Sequence, residues 1–232
     1  MTTQDLQRHA YAVLRDKLIS CEYQPGSLLN ETGLSADLGM SRTPLREALH
    51  RLELEGWVRT LPRRGVLVSL VLLSDIEEIF QARLEIEPVT LRMAAPSLPA
   101  EELRHFRAQL AREDLSPRAA FRLDMSMHLF LIGHCGNRPI MDMMQGVFDR
   151  NRRAVTYTRQ DELRIHDARQ EHLEVLDLLL RQDVEGAGDA LRSHISGCRD
   201  AALEFYVQHL GSDGALPGRP PSVVRPLRSA TD

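Results

Sequence analysis

Leu38-Gly-Met-Ser-Arg-Thr-Pro-Leu-Arg-Glu-Ala-Leu49 is the stretch whose reading decides the fold of the N-terminal part of the chain. Gly39 can take the positive φ that a tight turn between two helices needs. Ser41 is a natural N-cap, and Pro44 falls in the first helical turn, where a missing N–H costs little. Leu45, Ala48, Leu49 and Leu52 then recur at i, i+3, i+4 and i+7, which defines one buried face. Thr43, Arg46, Glu47 and His50 point away from that face, and Arg42 sits near its N-terminal end. A short helix packed on one side, with Arg and Thr near its N-terminus on the other, is shaped to enter a DNA major groove.

The flanking residues support this reading. Glu31, Leu34, Ser35 and Leu38 repeat the helical spacing before the turn, with Asn30 as the N-cap. Gly33 weakens that helix by about 1 kcal/mol relative to Ala. Earlier, Tyr11, Leu14 and Leu18 share one face of a helix that ends before the Pro25-Gly26 turn. After the groove-entering helix, Gly56 is a C-cap. Trp57–Thr60 and Val66–Ser69 are two β-prone runs around the basic tip Leu61-Pro-Arg-Arg-Gly65, a hairpin wing. Three helices and a basic wing make a winged helix-turn-helix.

Residues 8–69 resemble the DNA-binding domain of the GntR family of bacterial transcription regulators. The matching positions are Pro25-Gly26, Glu31, Leu34, Leu38-Gly39, Ser41–Leu49, Leu52, Glu55-Gly56 and Arg64-Gly65. The resemblance implies that Arg42, Thr43, Arg46, Arg64 and Gly65 contact DNA, with Arg63 as a further phosphate contact. Thr32 stands where some relatives carry a DNA-contacting Arg, which implies a different operator preference.

The 232 residues suffice for two modest domains. The expected division is 1–70 for the DNA-binding domain, 71–210 for a helical effector domain and 211–232 for a disordered, Pro/Arg/Ser-rich tail. No stretch approaches the ~20 apolar residues of a membrane span, and no secretory signal opens the chain. Cys21, Cys135 and Cys198 lack a C-x-x-C pair and read as reduced thiols in a cytoplasmic protein. The net charge of −4 is unevenly placed: residues 1–70 hold nine Lys/Arg against eight Asp/Glu, and residues 71–210 hold seventeen against twenty-three. Such a chain binds DNA only through a local basic face, and with marked salt dependence. Lys17 is its only lysine, so arginines carry the cationic work.

From Leu73 onward there is no strand-like alternation. Ser74 with Glu77 forms a capping-box pattern opening a helix that Pro88 should kink. Further helices are expected over about 99–112, from Ser116-Pro117, over about 138–158 and 162–181, and from Asp183 to about Leu210. The expected fold class is therefore mostly α, a winged helix-turn-helix followed by an all-helical bundle.

Histidines carry the chemistry of the bundle. Asp124 and His128 are four apart and stack on one helix face. His172 lies with Val175, Leu176 and Leu179, and His194 with Ala187, Leu191 and Cys198, both on inward faces. Spacing alone leaves two readings: three satisfied core histidines, or three imidazoles and a carboxylate converging on one divalent cation, as bundle cores allow. That donor set suits Zn²⁺, Ni²⁺, Fe²⁺ or Mn²⁺. His9, His105 and His209 read as solvated, His134 as a helix-end residue, and His166 as off the His172 face. Arg83 either grips a ligand carboxylate or pairs with Glu87. Met125, Met127, Met141, Met143 and Met144 read as adaptable core, and Arg150, Arg152 and Arg153 as a solvated face.

Phe121–His128, Asn137, Glu171-His172, Asp183, Ala187, Ala190 and His194, with Arg83 and Glu87, resemble the FCD effector domain of the FadR-type GntR subfamily. The resemblance implies that Asp124, His128, His172 and His194 bind a divalent metal (Zn, Ni or Mn) and that a small carboxylate completes its coordination. Members that bind acyl-CoA lack these residues, so a fatty-acyl thioester is not expected. Met127 replaces a frequent aromatic, and Pro88 could reshape one cavity wall. The expected protein is a ligand-responsive repressor, not an enzyme, acting as a homodimer on a pseudo-palindromic operator in double-stranded DNA. The competing readings are a metal sensor, with the ion itself as signal, and a DNA-targeted metalloenzyme.

Overall fold

The side chain of Glu55 gathers the N-terminal helices. It accepts from Tyr11 Oη (2.9 and 2.8 Å to its two oxygens), from Trp57 Nε1 (3.2 Å) and from Arg51 Nε (3.1 Å). The Arg51 guanidinium also lies 3.8 Å from the centre of the Tyr11 ring. These residues belong to α1 (Thr3–Ile19), to α3 (Arg42–Leu54) and to the turn that follows α3. Between α1 and α3 lie β1 (Leu28–Leu29) and α2 (Glu31–Asp37). The apolar faces expected from spacing meet in one core that includes Leu14, Leu18, Leu34, Leu45, Leu49 and Leu52. The computed structural model describes residues 2–158 and 165–209.

The turn between α2 and α3 is as expected: Gly39 has φ +60° and Gly56, past α3, φ +80°. Asn30 caps α2 by accepting from Thr32 N at 2.8 Å. Ser41 occupies the N-cap of α3 but makes no side-chain cap hydrogen bond. Pro44 sits at the third helical position and has no N–H to donate, which leaves the Thr43 amide as the one such a cap could use.

The wing is β2 (Val58–Leu61) and β3 (Gly65–Val68), paired antiparallel with Val58 opposite Val68 and Leu61 opposite Gly65. The structure adds a third strand: β1 pairs with the other edge of β3, Leu29 opposite Val66. Two residues are too few to show alternation in a sequence. Glu53 braces the wing by accepting from Thr60 N (2.6 Å) and Thr60 Oγ1 (3.0 Å).

Residues up to Val71 form one compact unit and Leu72–Gln208 another. The second unit is helical: α4 (Leu73–Ala94), a 3₁₀ turn (Ala95–Ser97), α5 (Ala100–Leu110), α6 (Pro117–Gly133), α7 (Arg138–Thr158), α8 (Ile165–Leu180) and α9 (Val184–His209). One expectation for α4 is corrected. It starts at Leu73, and the Asp75 carboxylate, not Glu77, accepts from the preceding Leu72 N–H at 2.8 Å. Pro88 lies buried within it, and α4 continues to Ala94. Ser116 caps α6 through Ala119 N (3.3 Å), and Asp183 caps α9 through Gly186 N (3.0 Å). Arg107 on α5 holds Asp177 on α8 with two hydrogen bonds of 2.5 and 3.2 Å. The expected tail, 211–232, and the His166 side chain lie outside the described residues.

Gly65 is the tightest point of the wing. It has φ +117°, and a Cβ there would lie 2.4 Å from the Leu29 carbonyl oxygen. Gly65→Ala should therefore destabilise this unit by about 1–3 kcal/mol. The single Trp57 is buried in the same core, so its fluorescence in urea reports this unit. An unchanged urea midpoint would contradict the close approach of β1 to β3.

Candidate functional site

In the helical unit, Asp124, His128, His172 and His194 come together. Asp124 and His128 project from α6, His172 from α8 and His194 from α9. The three imidazoles are buried, and Asp124 is partly exposed. Asp124 Oδ1 lies 2.9 Å from His172 Nε2, 3.5 Å from His128 Nε2 and 3.9 Å from His194 Nε2. His128 Nε2 and His172 Nε2 are 3.2 Å apart. One donor atom from each residue fits within 4.8 Å of all the others. Ligands bound about 2.1 Å from one ion lie about 3.0 Å apart at right angles and about 4.2 Å apart when opposed. The contacts of 2.9–3.9 Å come close to these separations, so the residues could hold a metal ion.

Two further carboxylates orient the rings. Glu87 on α4 accepts from His128 Nδ1 at 2.5 Å, and Glu171 on α8 accepts from His194 Nδ1 at 2.8 Å. Each contact turns the ring so that Nε2 faces the cluster, the arrangement used to fix imidazole ligands. Arg83 completes the chain from α4. Its Nε donates to Glu87 Oε1 at 2.6 Å, and its Nη2 lies 3.4 Å from His128 Nε2. Both members of the Arg83–Glu87 pair are buried.

Burial opposes charge on His128, but Glu87 and Asp124 outweigh it and hold its pKa up at about 9. Burial also works against an ionised Glu87. Arg83 and His128 overcome this and bring its pKa down to about 2. Asp124 is likewise held well below the usual carboxylate range, the neighbouring imidazoles outweighing burial. His194 goes the other way: burial, together with repulsion from His172 and His128, keeps its pKa well below 6.5.

The cluster borders a cavity of about 50 Å³, lined also by Arg83, Asn151 and Cys198 and by the apolar Phe80, Phe121 and Val155. Residues 6–68 match the gntR family of bacterial regulatory proteins, and residues 78–197 match the FCD domain. The chain belongs to the GntR family. It is a DNA-binding transcriptional regulator with an FCD domain. An HTH-type transcriptional regulator of Streptomyces ambofaciens is 32% identical over 84% of this chain and 84% of its own length. The transcriptional repressor RspR of Escherichia coli K12 is 23% identical over 88% of this chain and 91% of its own. The fold also matches a GntR regulator of Rhodococcus sp. RHA1 with a TM-score of 0.72 at 21% identity, over 85% of this chain and 97% of that one.

In this GntR protein Arg42, Thr43 and Arg46 are exposed on α3, and Arg63 and Arg64 are exposed at the wing tip beside the half-buried Gly65. Arg46 is not free-standing, since its Nε donates to Glu31 Oε2 on α2 at 2.8 Å. His134 ends α6, its Nδ1 2.9 Å from the Phe130 carbonyl oxygen, and His9, His105 and His209 are exposed. Arg153 departs from the expected solvated face and is buried, while Arg150 and Arg152 are exposed. Met143 is exposed, unlike the buried Met125, Met127 and Met144. Among the described residues no helix is long and apolar enough to cross a membrane.

The pKa shifts set a pH dependence for the protein in excess chelator. His128, raised from 6.5 to about 9, contributes stability that is complete below pH 6.5 and lost as pH rises to 9. His194 is kept neutral in the fold, so stability also declines as pH falls below 6.5 and the unfolded chain takes up that proton. Glu87 and Asp124 add a further loss at lower pH as they protonate. Melting followed by circular dichroism should show a maximum near pH 6.5. His128→Gln should flatten the alkaline limb. A wild-type melting temperature that stays level from pH 6.5 to 9 would rule out a charged His128.

Proposed function

We propose that this regulator is a repressor whose DNA affinity responds to a small organic acid bound at a metal ion in the FCD domain. The observation that carries the reading is the convergence of three imidazole Nε2 atoms and the Asp124 carboxylate, of which Asp124, His172 and His194 line a cavity that Arg83 also lines. A divalent cation held by Asp124, His128, His172 and His194 would supply Lewis acidity and positive charge. Glu87 and Glu171 orient two of the three rings, and the Arg83 guanidinium adds a fixed positive charge for a carboxylate. The name of the E. coli relative supports repression. The buried cluster and the FCD match support this reading over that of a purely architectural DNA binder.

The reader is assigned to residues 1–70 and the effector domain to residues 71–210. On the DNA side, Arg42, Thr43 and Arg46 read the major groove and Arg64 and Gly65 approach the backbone. One α3 offers few base contacts, so the protein acts as a homodimer on two half-sites. The acid controls binding by favouring one arrangement of the two readers over another. This activity belongs in the cytoplasm.

Selection from random duplexes with the full-length protein should return a pseudo-palindrome. Arg46→Ala should weaken binding to it ten- to a hundredfold while metal content stays at the wild-type level. A change within twofold would show that α3 is not the reading element. For the effector, metal-loaded protein is screened by thermal shift against short mono-, di- and hydroxycarboxylates, with His194→Ala in parallel. One acid should stabilise the wild type by about 2.7 kcal/mol at a hundred times its Kd and leave the variant unmoved. If chelation alone changes DNA affinity and no acid shifts melting, the ion itself is the signal. Arg83→Ala is a poorer probe, because removing one member of a buried ion pair costs about 3–5 kcal/mol by stranding the other.

A further inference from the structure

One wall of the cavity carries a polar group that a bare carboxylate does not satisfy. Asn151 on α7 is 1% exposed and lines the cavity with Arg83, Asp124, His172 and His194. Its Nδ2 donates to Met125 Sδ at 3.6 Å. A thioether sulfur only accepts, so the contact assigns the amide: nitrogen towards Met125, oxygen elsewhere. Asn151 Oδ1 is buried and has no hydrogen-bond partner among the described residues. Buried amide oxygens are nearly always paired, and each unpaired one calls for an explanation. Asn151 lines the cavity, so the missing partner is assigned to a cavity occupant. That partner must be a donor. A carboxylate offers none, whereas a hydroxyl does.

We propose that Asn151 is a specificity-determining contact and that the effector is a short hydroxy acid whose hydroxyl donates to Asn151 Oδ1. This assignment rests on the reading above, in which the acid's carboxylate is anchored at the cluster beside Arg83. The size of the site agrees. A cavity of about 50 Å³ has room for about four waters on the same measure, hence for a ligand of few heavy atoms. Phe80, Phe121 and Val155 give the remaining carbon skeleton an apolar wall. A hydroxy acid supplies that hydrogen bond, while its deoxy analogue leaves Oδ1 without a donor. Sites built around a substrate hydroxyl discriminate strongly against the analogue that lacks it.

The test uses full-length protein loaded with Zn²⁺, and again with Mn²⁺, titrated calorimetrically with pairs differing by one hydroxyl. Glycolate is compared with acetate, lactate with propionate, 3-hydroxybutyrate with butyrate, and malate with succinate. At least one hydroxy acid should bind the wild type tenfold or more tightly than its partner. Asn151→Leu, close to the amide in shape, should narrow that ratio to under twofold by weakening the hydroxy acid, and Asn151→Ala should do the same. Metal-dependent stabilisation of each variant shows that it folds. Equal binding of both members of every pair by the wild type overturns the hydroxy-acid assignment and leaves the anchored-acid reading standing. A preference that survives both substitutions overturns the role of Asn151. If neither member of any pair binds with either metal, the anchored-acid reading fails and this assignment falls with it.

Discussion

A buried carboxylate, Glu87, is the constraint on which the helical unit depends. It is sealed from water, and it is ionised because Arg83 lies on one side and His128 on the other. Removing any one of the three leaves an uncompensated charge or an unpaired donor in a low-dielectric interior, where such groups are expensive. The same contact that neutralises Glu87 sets the tilt of the His128 ring. Packing of α4 against α6 and the aim of one imidazole are therefore a single structural fact. Glu171 does the same for His194 from α8. The cluster is held by its surroundings, not assembled by whatever occupies it.

In the DNA-reading unit the comparable role falls to Glu55. It is a partly exposed carboxylate at the end of α3, gathering Tyr11, Arg51 and Trp57. The outer face of α3 stays available because the inner face is so thoroughly engaged: Leu45, Ala48, Leu49 and Leu52 are all buried. Glu31 adds a finer control by fixing one end of the Arg46 guanidinium. A tethered arginine has less side-chain freedom left to lose than a solvated one.

Most of the architecture was legible because it rests on periodicity. Leu45–Leu52 at helical spacing, the Asn30 cap and the inward faces of His172 and His194 all lie where spacing puts them. What escaped were relations between helices. Glu171 follows the pattern of its neighbour His172 in the chain, yet it serves His194 on another helix. Glu87 reads as a local partner of Arg83, and its second oxygen is committed to His128. Arg153 looks like part of a charged surface run but turns inward. Asn151 carried no signal, since a lone Asn in a long helix reads as surface. The Ser41 cap hydrogen bond is not made, and Pro44 removes one of the two donors that the hydroxyl could use.

The charge state of His128 has a consequence for any divalent cation that settles in the cluster. With a pKa of about 9, the ring is protonated near neutral pH, its Nε2 3.5 Å from the Asp124 carboxylate. A cation held there would take the lone pair that this proton occupies and so would have to displace it. Two positive charges would arrive and one would leave. The cavity would become more positive by a single unit, and occupancy would fall as the surroundings acidify.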